Sequence, residues 1–276
     1  MGGLVRNPSL TLGGLLVGAL VLASLFAPVL SAASPLAQDL HHPFGGLSAR
    51  HPFGTDAFGR DIAARVLYGA RYSLLEAGAC IGMACTAGTL LGLAAGARGG
   101  WFDQAVMWAM DILFAFPGIV LALLALALLG PGLVNMLLAI TLFSIPVYAR
   151  LARNLAMSLG GALYVEAAVA IGASPARVMF AHILPNAAGP IIVQCAASAG
   201  SVILTAASLS FLGLGVAPPA PEWGAMMSDG RNYIGAYLAP TLFPGLAMTL
   251  AVLGFNLLGE GLRQLLDPFG PIRTRS

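Results

Sequence analysis

Long apolar stretches alternate with shorter polar ones along the chain. Six of them are continuous runs rich in Leu, Ala, Val and Gly, covering residues 10–32, 73–97, 104–129, 133–148, 187–212 and 237–258. A bilayer core about 30 Å thick needs about 20 mainly apolar residues per spanning helix. A transmembrane β-barrel would instead show short segments of alternating polarity. The pattern therefore predicts an all-α polytopic membrane protein with about six transmembrane helices.

Composition supports the membrane assignment and excludes some chemistry. Of the 276 residues, 58% are hydrophobic and 9% are charged, whereas soluble domains carry about 25% charged residues. All 13 basic residues are arginine. A P-loop needs a lysine on the nucleotide phosphates, and Schiff-base catalysis needs a lysine amine. We therefore predict no cofactor in this chain, and any ATP must be bound by partner subunits.

The arginines indicate an orientation, because short cytoplasmic loops are enriched in basic residues. With the N-terminus inside, the cytoplasmic set is Arg6, Arg98, Arg150, Arg153, Arg177, Arg263, Arg273 and Arg275. The outside set is smaller and comprises Arg50, Arg60, Arg65, Arg71 and Arg231. The first apolar stretch is longer than the core of a cleavable signal peptide. The prediction is a multi-pass protein of a bacterial-type inner membrane with both termini cytoplasmic.

The longest outside segment, residues 34–72, ends in an amphipathic stretch. Over residues 61–71, apolar side chains share one helical face and charged side chains the other. This pattern predicts a helix lying along the membrane surface. We expect residues 1–72 to form an N-terminal helix plus this segment, residues 73–268 the core transmembrane domain, and residues 269–276 a short cytoplasmic tail.

The largest inside loop covers residues 150–186. Glu166 lies in the first turn of an Ala-rich helix, where a carboxylate favours the helix dipole. Gly172 ends this helix, and Ser174 is the expected N-cap of a second one. Pro185, with the Asn that follows it, is expected to end the second helix. Two short helices joined by a hinge are typical of an element that docks into a groove on a partner.

A spaced motif lies in this loop: Glu166-Ala167-Ala168, then Gly172 after three residues, then Leu184-Pro185. It resembles the EAA loop of the membrane subunits of binding-protein-dependent ABC importers. The resemblance implies coupling helices that contact an ATPase subunit. His182 replaces an aliphatic residue of the general pattern, and residues 182–186 match the peptide and nickel branch. The expected coupling residues are Glu166, Ala167, Ala168, Gly172, Ala173, Arg177, His182, Leu184 and Pro185, with Arg177 a candidate for an ion pair with the ATPase.

Further segments resemble the second permease subunit of dipeptide, oligopeptide and nickel importers. They are residues 51–61, 68–74, 211–215, 221–226, 255–259, 262–263 and 266–268. The resemblance covers nearly the whole chain and implies the type I ABC importer permease fold, working by alternating access. The implied partners are a second homologous permease subunit in a heterodimer, two cytoplasmic ATPase subunits, an extracytoplasmic solute-binding protein and the lipid bilayer. It implies no nucleic acid partner.

Charged residues inside predicted spans indicate function by default. Asp111 lies deepest, about 12 Å beyond Asp103 along a helix. It is predicted to be an interhelical polar site or a part of the translocation pathway. Glu76 and Glu260 lie nearer the ends of their spans and are expected to reach the interface.

Histidine and cysteine do not form a ligand pattern. Nickel favours imidazole, but the adjacent His41 and His42 cannot both point at one ion unaided, and His51 lies in the same loop. We predict no metal site. Three cysteines lie in apolar spans and are expected to be buried free thiols: Cys80, Cys85 and Cys195.

The solute is the least determined property. Di- or oligopeptides are expected, and nickel or another small solute is the alternative within the same branch, because no residue separates them. A channel or membrane scaffold is an alternative of another class and would work without an ATPase. An embedded hydrolase would need a motif such as H-E-x-x-H or G-x-S-x-G, and neither occurs. The chain is predicted not to be an enzyme, with ATP hydrolysed by separate subunits.

Overall fold

The computed structural model describes residues 7–266. The helices are α1 (Pro8–Leu25), α2 (Ala27–Leu30), α3 (Ile62–Arg98), α4 (Gly100–Phe114), α5 (Gly118–Leu129), α6 (Leu133–Gly160), α7 (Leu163–Ala170), α8 (Pro175–Arg177), α9 (Leu184–Phe211), α10 (Trp223–Gly230) and α11 (Ala239–Leu266). A π-helical turn covers Val178–Ile183 and a 3-10 turn Arg231–Tyr233. Arg6, Arg273, Arg275, the 266–268 motif beyond Leu266 and the predicted tail 269–276 lie outside the described residues.

The predicted all-α fold with about six spans is confirmed. Within residues 7–266 the chain forms no strand, and one isolated antiparallel bridge joins Thr55 to Asp61. Five helices, counting Pro175–Phe211 as one, are long and apolar enough to cross a bilayer. The α4–α5 pair makes a sixth span if it is counted as one.

The predicted surface helix over residues 61–71 is wrong, because this segment is the first part of α3. No proline interrupts the 37 residues of α3, which begin at an N-cap where Asp61 accepts a hydrogen bond from the Ala64 N–H. The apolar face of the segment packs against protein: the Trp223 indole N–H donates to the Val66 carbonyl at 3.0 Å. The boundary at residue 72 falls inside this helix.

The third predicted span is not one straight helix. α4 ends at Phe114, α5 begins at Gly118, and their axes differ by 88°. Pro117 accounts for the break, since it has no N–H to donate and it disfavours helical backbone in the residue before it. The chain turns back at residues 130–132, so α5 and α6 form a hairpin.

Glycines on one face of α3 bring it close to α6. α6 is longer than predicted and runs for 28 residues to Gly160. A Cβ built at Gly88, Gly92 or Gly96 would collide with α6, in the case of Gly92 with the Ala149 carbonyl. Small residues spaced by four allow the backbones of membrane helices to approach. The α3–α6 pair is consequently the most extensive helix contact in the bundle.

The expectation that Glu76 reaches the interface is wrong. α3 begins at Ile62, not near Ser73, so Glu76 lies about 21 Å along the helix. Its side chain is 1% exposed, and its Oε1 has no hydrogen-bond partner among the described residues. Glu260 does reach the surface of α11, where Arg263 donates to both of its oxygens at 2.9 Å. α11 itself extends beyond the predicted end at residue 258, to Leu266.

Candidate functional site

The predicted coupling loop contains one free-standing short helix, α7. Two residues on its inner face are buried, Val165 and Ala168. Val165 packs into an apolar cluster that also contains Leu93 of α3 and Ala152 and Ala156 of α6. Burial of these side chains fixes α7 to the end of the bundle.

The outer face of α7 is open. Glu166 and Ala167 are exposed. So are two large apolar side chains at the ends of the element, Leu163 at 83% and Ile171 at 88% exposure. Sequence reasoning singled out the first pair and missed the second. Apolar side chains with this exposure on an element anchored from behind are typical of a surface that a partner covers.

The turn after α7 has the predicted chemistry. Gly172 has a φ of +90°, a backbone conformation that L-residues rarely adopt. The Ala173 N–H returns to the Ala168 carbonyl at 3.0 Å. Ser174 caps the next helix, accepting from the Arg177 N–H at 3.3 Å. Arg177 is exposed at the end of this turn.

The expectation that Pro185 and Asn186 end the second helix is wrong. The chain is helical without interruption from Pro175 to Phe211. A π turn precedes the proline, and within it the Leu184 N–H bonds to the Met179 carbonyl, five residues earlier. The wider turn accommodates a proline that an α-helix would reject. The predicted second helix of the loop is therefore the first part of the fifth span.

The remaining predicted residues line the side of this continuous helix. His182 and Leu184 are half-buried and Pro185 is exposed. The His182 carbonyl accepts a hydrogen bond from the Asn186 amide at 2.6 Å.

Asp111 forms an ion pair between helices. The Arg150 Nη2 of α6 donates to its Oδ1 at 2.6 Å, and the Arg150 guanidinium lies 4.2 Å from the centre of the Phe114 ring. One turn closer to α7, Arg153 contacts Asp103 in the same way. The sequence did not predict these partners. Opposite charges near the same end of two consecutive spans were the signal that could have found them.

A second cluster of charged side chains lies near α10, at the end of the bundle opposite to α7. Arg60 Nε donates to Asp56 at 2.6 Å, and Arg60 Nη2 lies 3.4 Å from Asp229. Arg65 Nε lies 3.6 Å from the same Asp56 carboxylate. Because Asp229 belongs to α10, these contacts connect the segment before α3 to α10.

Glu222 begins α10 and was not predicted. It is fully buried and accepts hydrogen bonds from the Gly224 and Ala225 N–H groups, both at 2.8 Å. Burial raises the pKa of the Glu222 carboxyl, and the two N–H donors lower it part of the way back. The residue acts as an N-cap built inside the protein.

Comparison with known families identifies the family of this chain. A family model described as "Binding-protein-dependent transport system inner membrane component" matches residues 88–269, more than half of the chain. The chain belongs to this family. The match includes α7, the turn at Gly172 and the whole of the broken span α4–α5, and it confirms the resemblance to importer permeases.

Individual relatives of this inner membrane component cover between 81% and 96% of its length. A dipeptide transport system permease protein of Alkalihalophilus pseudofirmus is 44% identical over 96% of this chain and 87% of its own. A probable D,D-dipeptide transport system permease protein of Escherichia coli K12 is 42% identical over 95% and 88%. A glutathione transport system permease protein of Pectobacterium atrosepticum is 46% identical over 81% and 74%.

The loop histidines of this permease serve local structure. His42 Nδ1 lies 2.9 Å from Asp39, and His51 Nδ1 lies 2.7 Å from Asp61, the cap of α3. The hydrogen bond to His42 is the main cause that lowers the pKa of the Asp39 carboxyl. No three His, Cys, Asp or Glu residues within residues 7–266 gather in a way that could hold a metal ion. Cys80 is a buried free thiol as predicted, whereas Cys85 and Cys195 are only half-buried.

Proposed function

We propose that this chain is the permease subunit of an ATP-driven importer that carries di- and oligopeptides across the inner membrane by alternating access. The relatives support peptide as the solute, since two are named for dipeptides and one for glutathione, itself a tripeptide. Nickel or another small solute is the less supported alternative. The proposed partners are a second homologous permease, two ATPase subunits and a solute-binding protein outside.

The observation that carries the coupling role is the position of α7. The helix is anchored from behind by Val165 and Ala168, while its front presents Glu166 and Ala167. A movement of a docked ATPase would therefore be passed to α3 and α6 through packed side chains and not absorbed by a mobile loop. The full proposed set is Glu166, Ala167, Ala168, Gly172, Ala173, Arg177, His182, Leu184 and Pro185.

The orientation proposed here places the α7 end in the cytoplasm, together with both chain termini. The arginines of the full sequence support it by number, eight at this end against five at the other, as expected for cytoplasmic loops. Within residues 7–266 the two ends carry five each. The α10 end, with Asp56 and Asp229, then meets the binding protein. Residues 73–268 constitute the transport domain in this proposal, residues 1–72 the unit before it and residues 269–276 the tail.

Asp111 is proposed as a structural residue. Its ion pair with Arg150 joins α4 to α6. Both side chains are substantially exposed in the isolated subunit, and exposed pairs contribute little stability. Their proposed role is to fix the angle of the broken span.

Reconstitution tests the function. The chain is co-expressed with its partner permease and ATPases, purified, placed in liposomes and supplied with the binding protein loaded with alanyl-alanine. We expect ATP-dependent accumulation of the peptide. Accumulation of Ni²⁺ and not of peptide would select the alternative solute, and passage of solute without ATP would favour a channel.

A matched pair of variants tests the docking face. Leu163→Ser removes an exposed apolar side chain from α7, and Leu47→Ser removes one that is 71% exposed at the other end of the molecule. We expect the first to reduce co-purification of the ATPase and the second to leave it unchanged. Equal retention of the ATPase by both variants would contradict an α7 docking face.

A further inference from the structure

A groove with a mainly apolar lining and a row of polar side chains lies beside the break in the third span. It has a volume of about 390 Å³ and is bounded by α6, α9 and the residues around the α4–α5 junction. Ligand pockets typically have volumes of about 300–1,000 Å³. Ser198, one of its lining residues, lies midway along α9. The groove is therefore at membrane depth and far from both ends of the bundle.

Four polar side chains of α9 line one wall: Gln194, Ser198, Ser201 and Thr205. Their spacing of four, three and four residues places them on one helical face. Polar groups inside a membrane span are rare and usually face a bundle interior or a cavity. Ser201 is exposed, so the groove is open on this side of the isolated subunit.

Tyr148 of α6 provides an unused hydrogen-bonding group. The residue is 1% exposed, lines the groove, and its hydroxyl has no partner among residues 7–266. A buried hydroxyl without a partner has a desolvation cost that a bound polar molecule would remove. Tyr148 is thus an independent observation that points to a ligand.

The broken span points to the same place. Phe114, Phe116 and Gly118 line the groove, and the first turn of α5 has no side-chain cap. Irregular backbone at membrane depth is tolerated where it lines a cavity or is buried in protein. In transporters, interrupted helices mark solute sites because the freed backbone groups can bind the solute.

The chemistry of the lining defines a ligand class. No charged side chain in the described part of the chain lines the groove. Thr205 donates its hydroxyl hydrogen to the Ser201 carbonyl at 2.8 Å, which leaves its oxygen as an acceptor for an N–H group. The Tyr148 hydroxyl is free to donate to a carbonyl. One acceptor and one donor are the complement of an amide.

We propose that this groove is a solute subsite that binds the backbone amides of a peptide through neutral hydrogen bonds. The inference rests on the proposed peptide import and adds the residues that contact the solute. Because a neutral site does not compensate a desolvated charge, the charged peptide ends stay in water or against the partner permease. The subsite would consequently form hydrogen bonds with the peptide backbone, which every peptide shares, and would accept varied side chains.

The test uses the complete transporter in liposomes with the binding protein, alanyl-alanine and longer alanine peptides. Peptide transported per ATP hydrolysed is measured for Tyr148→Phe and Thr205→Val. We expect a fall of about 2- to 10-fold, the loss that one hydrogen bond brings. Stimulation of ATP hydrolysis by the loaded binding protein is expected to stay at the wild-type level, because α7 is untouched.

Thr249→Val is the matched control. Thr249 of α11 also donates to the carbonyl four residues earlier, Gly245, at 2.8 Å, but it does not line the groove. Thr205→Ser keeps the hydroxyl and is expected to restore transport, which separates hydrogen bonding from misfolding. Wild-type ratios in Tyr148→Phe and Thr205→Val would overturn the subsite while leaving the importer intact. Absence of peptide uptake by the wild-type complex would instead overturn the proposed function.

Discussion

Arg153 donates two parallel hydrogen bonds to Asp103, from Nε to Oδ1 at 2.5 Å and from Nη2 to Oδ2 at 2.6 Å. The planar guanidinium matches the carboxylate at both oxygens, a geometry that lysine cannot reproduce. Both side chains are largely covered. The pair therefore fastens the start of α4 to α6, directly beside the cluster that anchors α7.

Arg153→Lys is expected to lower stability by about 1 kcal/mol, because one of two charge-assisted bonds is lost. Thermal unfolding of the purified subunit in detergent measures the change. Arg263→Lys is the control, since Arg263 makes a similar two-bond contact with Glu260 but on the exposed surface of one helix. An equal loss in both variants would show that burial between α4 and α6 adds nothing.

Gly172→Ala is expected to impair both transport and the ATP hydrolysis that the loaded binding protein stimulates. The positive φ strains any L-residue by about 1–2 kcal/mol, although an added Cβ would meet no atom within 4 Å. The strain should reduce transport and stimulated ATP hydrolysis together by about tenfold, and valine should abolish both. Gly160→Ala, at an open position without a positive φ, is expected to behave as wild type. Full activity of Gly172→Ala in a liposome assay would refute the coupling role of the turn.

Gly92→Ala is expected to disrupt the bundle. The new Cβ would collide with the Ala149 carbonyl of α6, and backbone cannot yield as a flexible side chain can. Overpacking of this kind costs about 1–3 kcal/mol. Gly82→Ala on the same helix meets nothing within 4 Å and serves as control. Size-exclusion profiles and unfolding temperatures should separate the two variants, and identical behaviour would contradict the close α3–α6 packing.

Glu222 predicts a pH dependence of stability. Burial raises the pKa of this carboxyl above its ordinary value of 4.5. Between that value and the raised folded-state pKa, the unfolded chain releases a proton that the folded chain retains, so stability falls as pH rises through this window. Glu222→Gln should remove that part of the decline. Unfolding temperatures across a pH series measure it, with the exposed Glu166→Gln as control, and an unchanged slope in Glu222→Gln would contradict the assignment.

The sequence predicted the number and type of the spans because lipid imposes a strong, local requirement on each one. Prolines show where local rules stop. Pro117 breaks its helix, while Pro146, Pro190 and Pro244 lie inside theirs. At Pro185 the preceding π turn accommodates the missing N–H and the proline ring, so the helix continues. No residue type in the sequence predicts that turn.

In the candidate sites, too, features set by local sequence were predictable and features set by helix packing were not. Gly172 and Ser174 were predictable because a left-handed turn and an N-cap depend on single residue types. Arg153 as partner of Asp103 was not, because the pairing depends on how α4 and α6 pack. The wrong prediction for Glu76 came from placing the start of α3 eleven residues too late, at Ser73 and not at Ile62. That start puts Glu76 near the beginning of its helix, although it lies about 14 residues into it.

The uninterrupted helix from Pro175 to Phe211 has a thermodynamic consequence. It is about 55 Å long and carries both Arg177, on the proposed ATPase face, and Thr205, in the groove. If ATPase docking changes how well the groove binds peptide, peptide in the groove must change ATPase affinity by the same factor, since binding linkage is reciprocal. Peptide bound in the groove would then alter ATPase binding through this single helix, and no other element of the chain would be needed to connect the two sites.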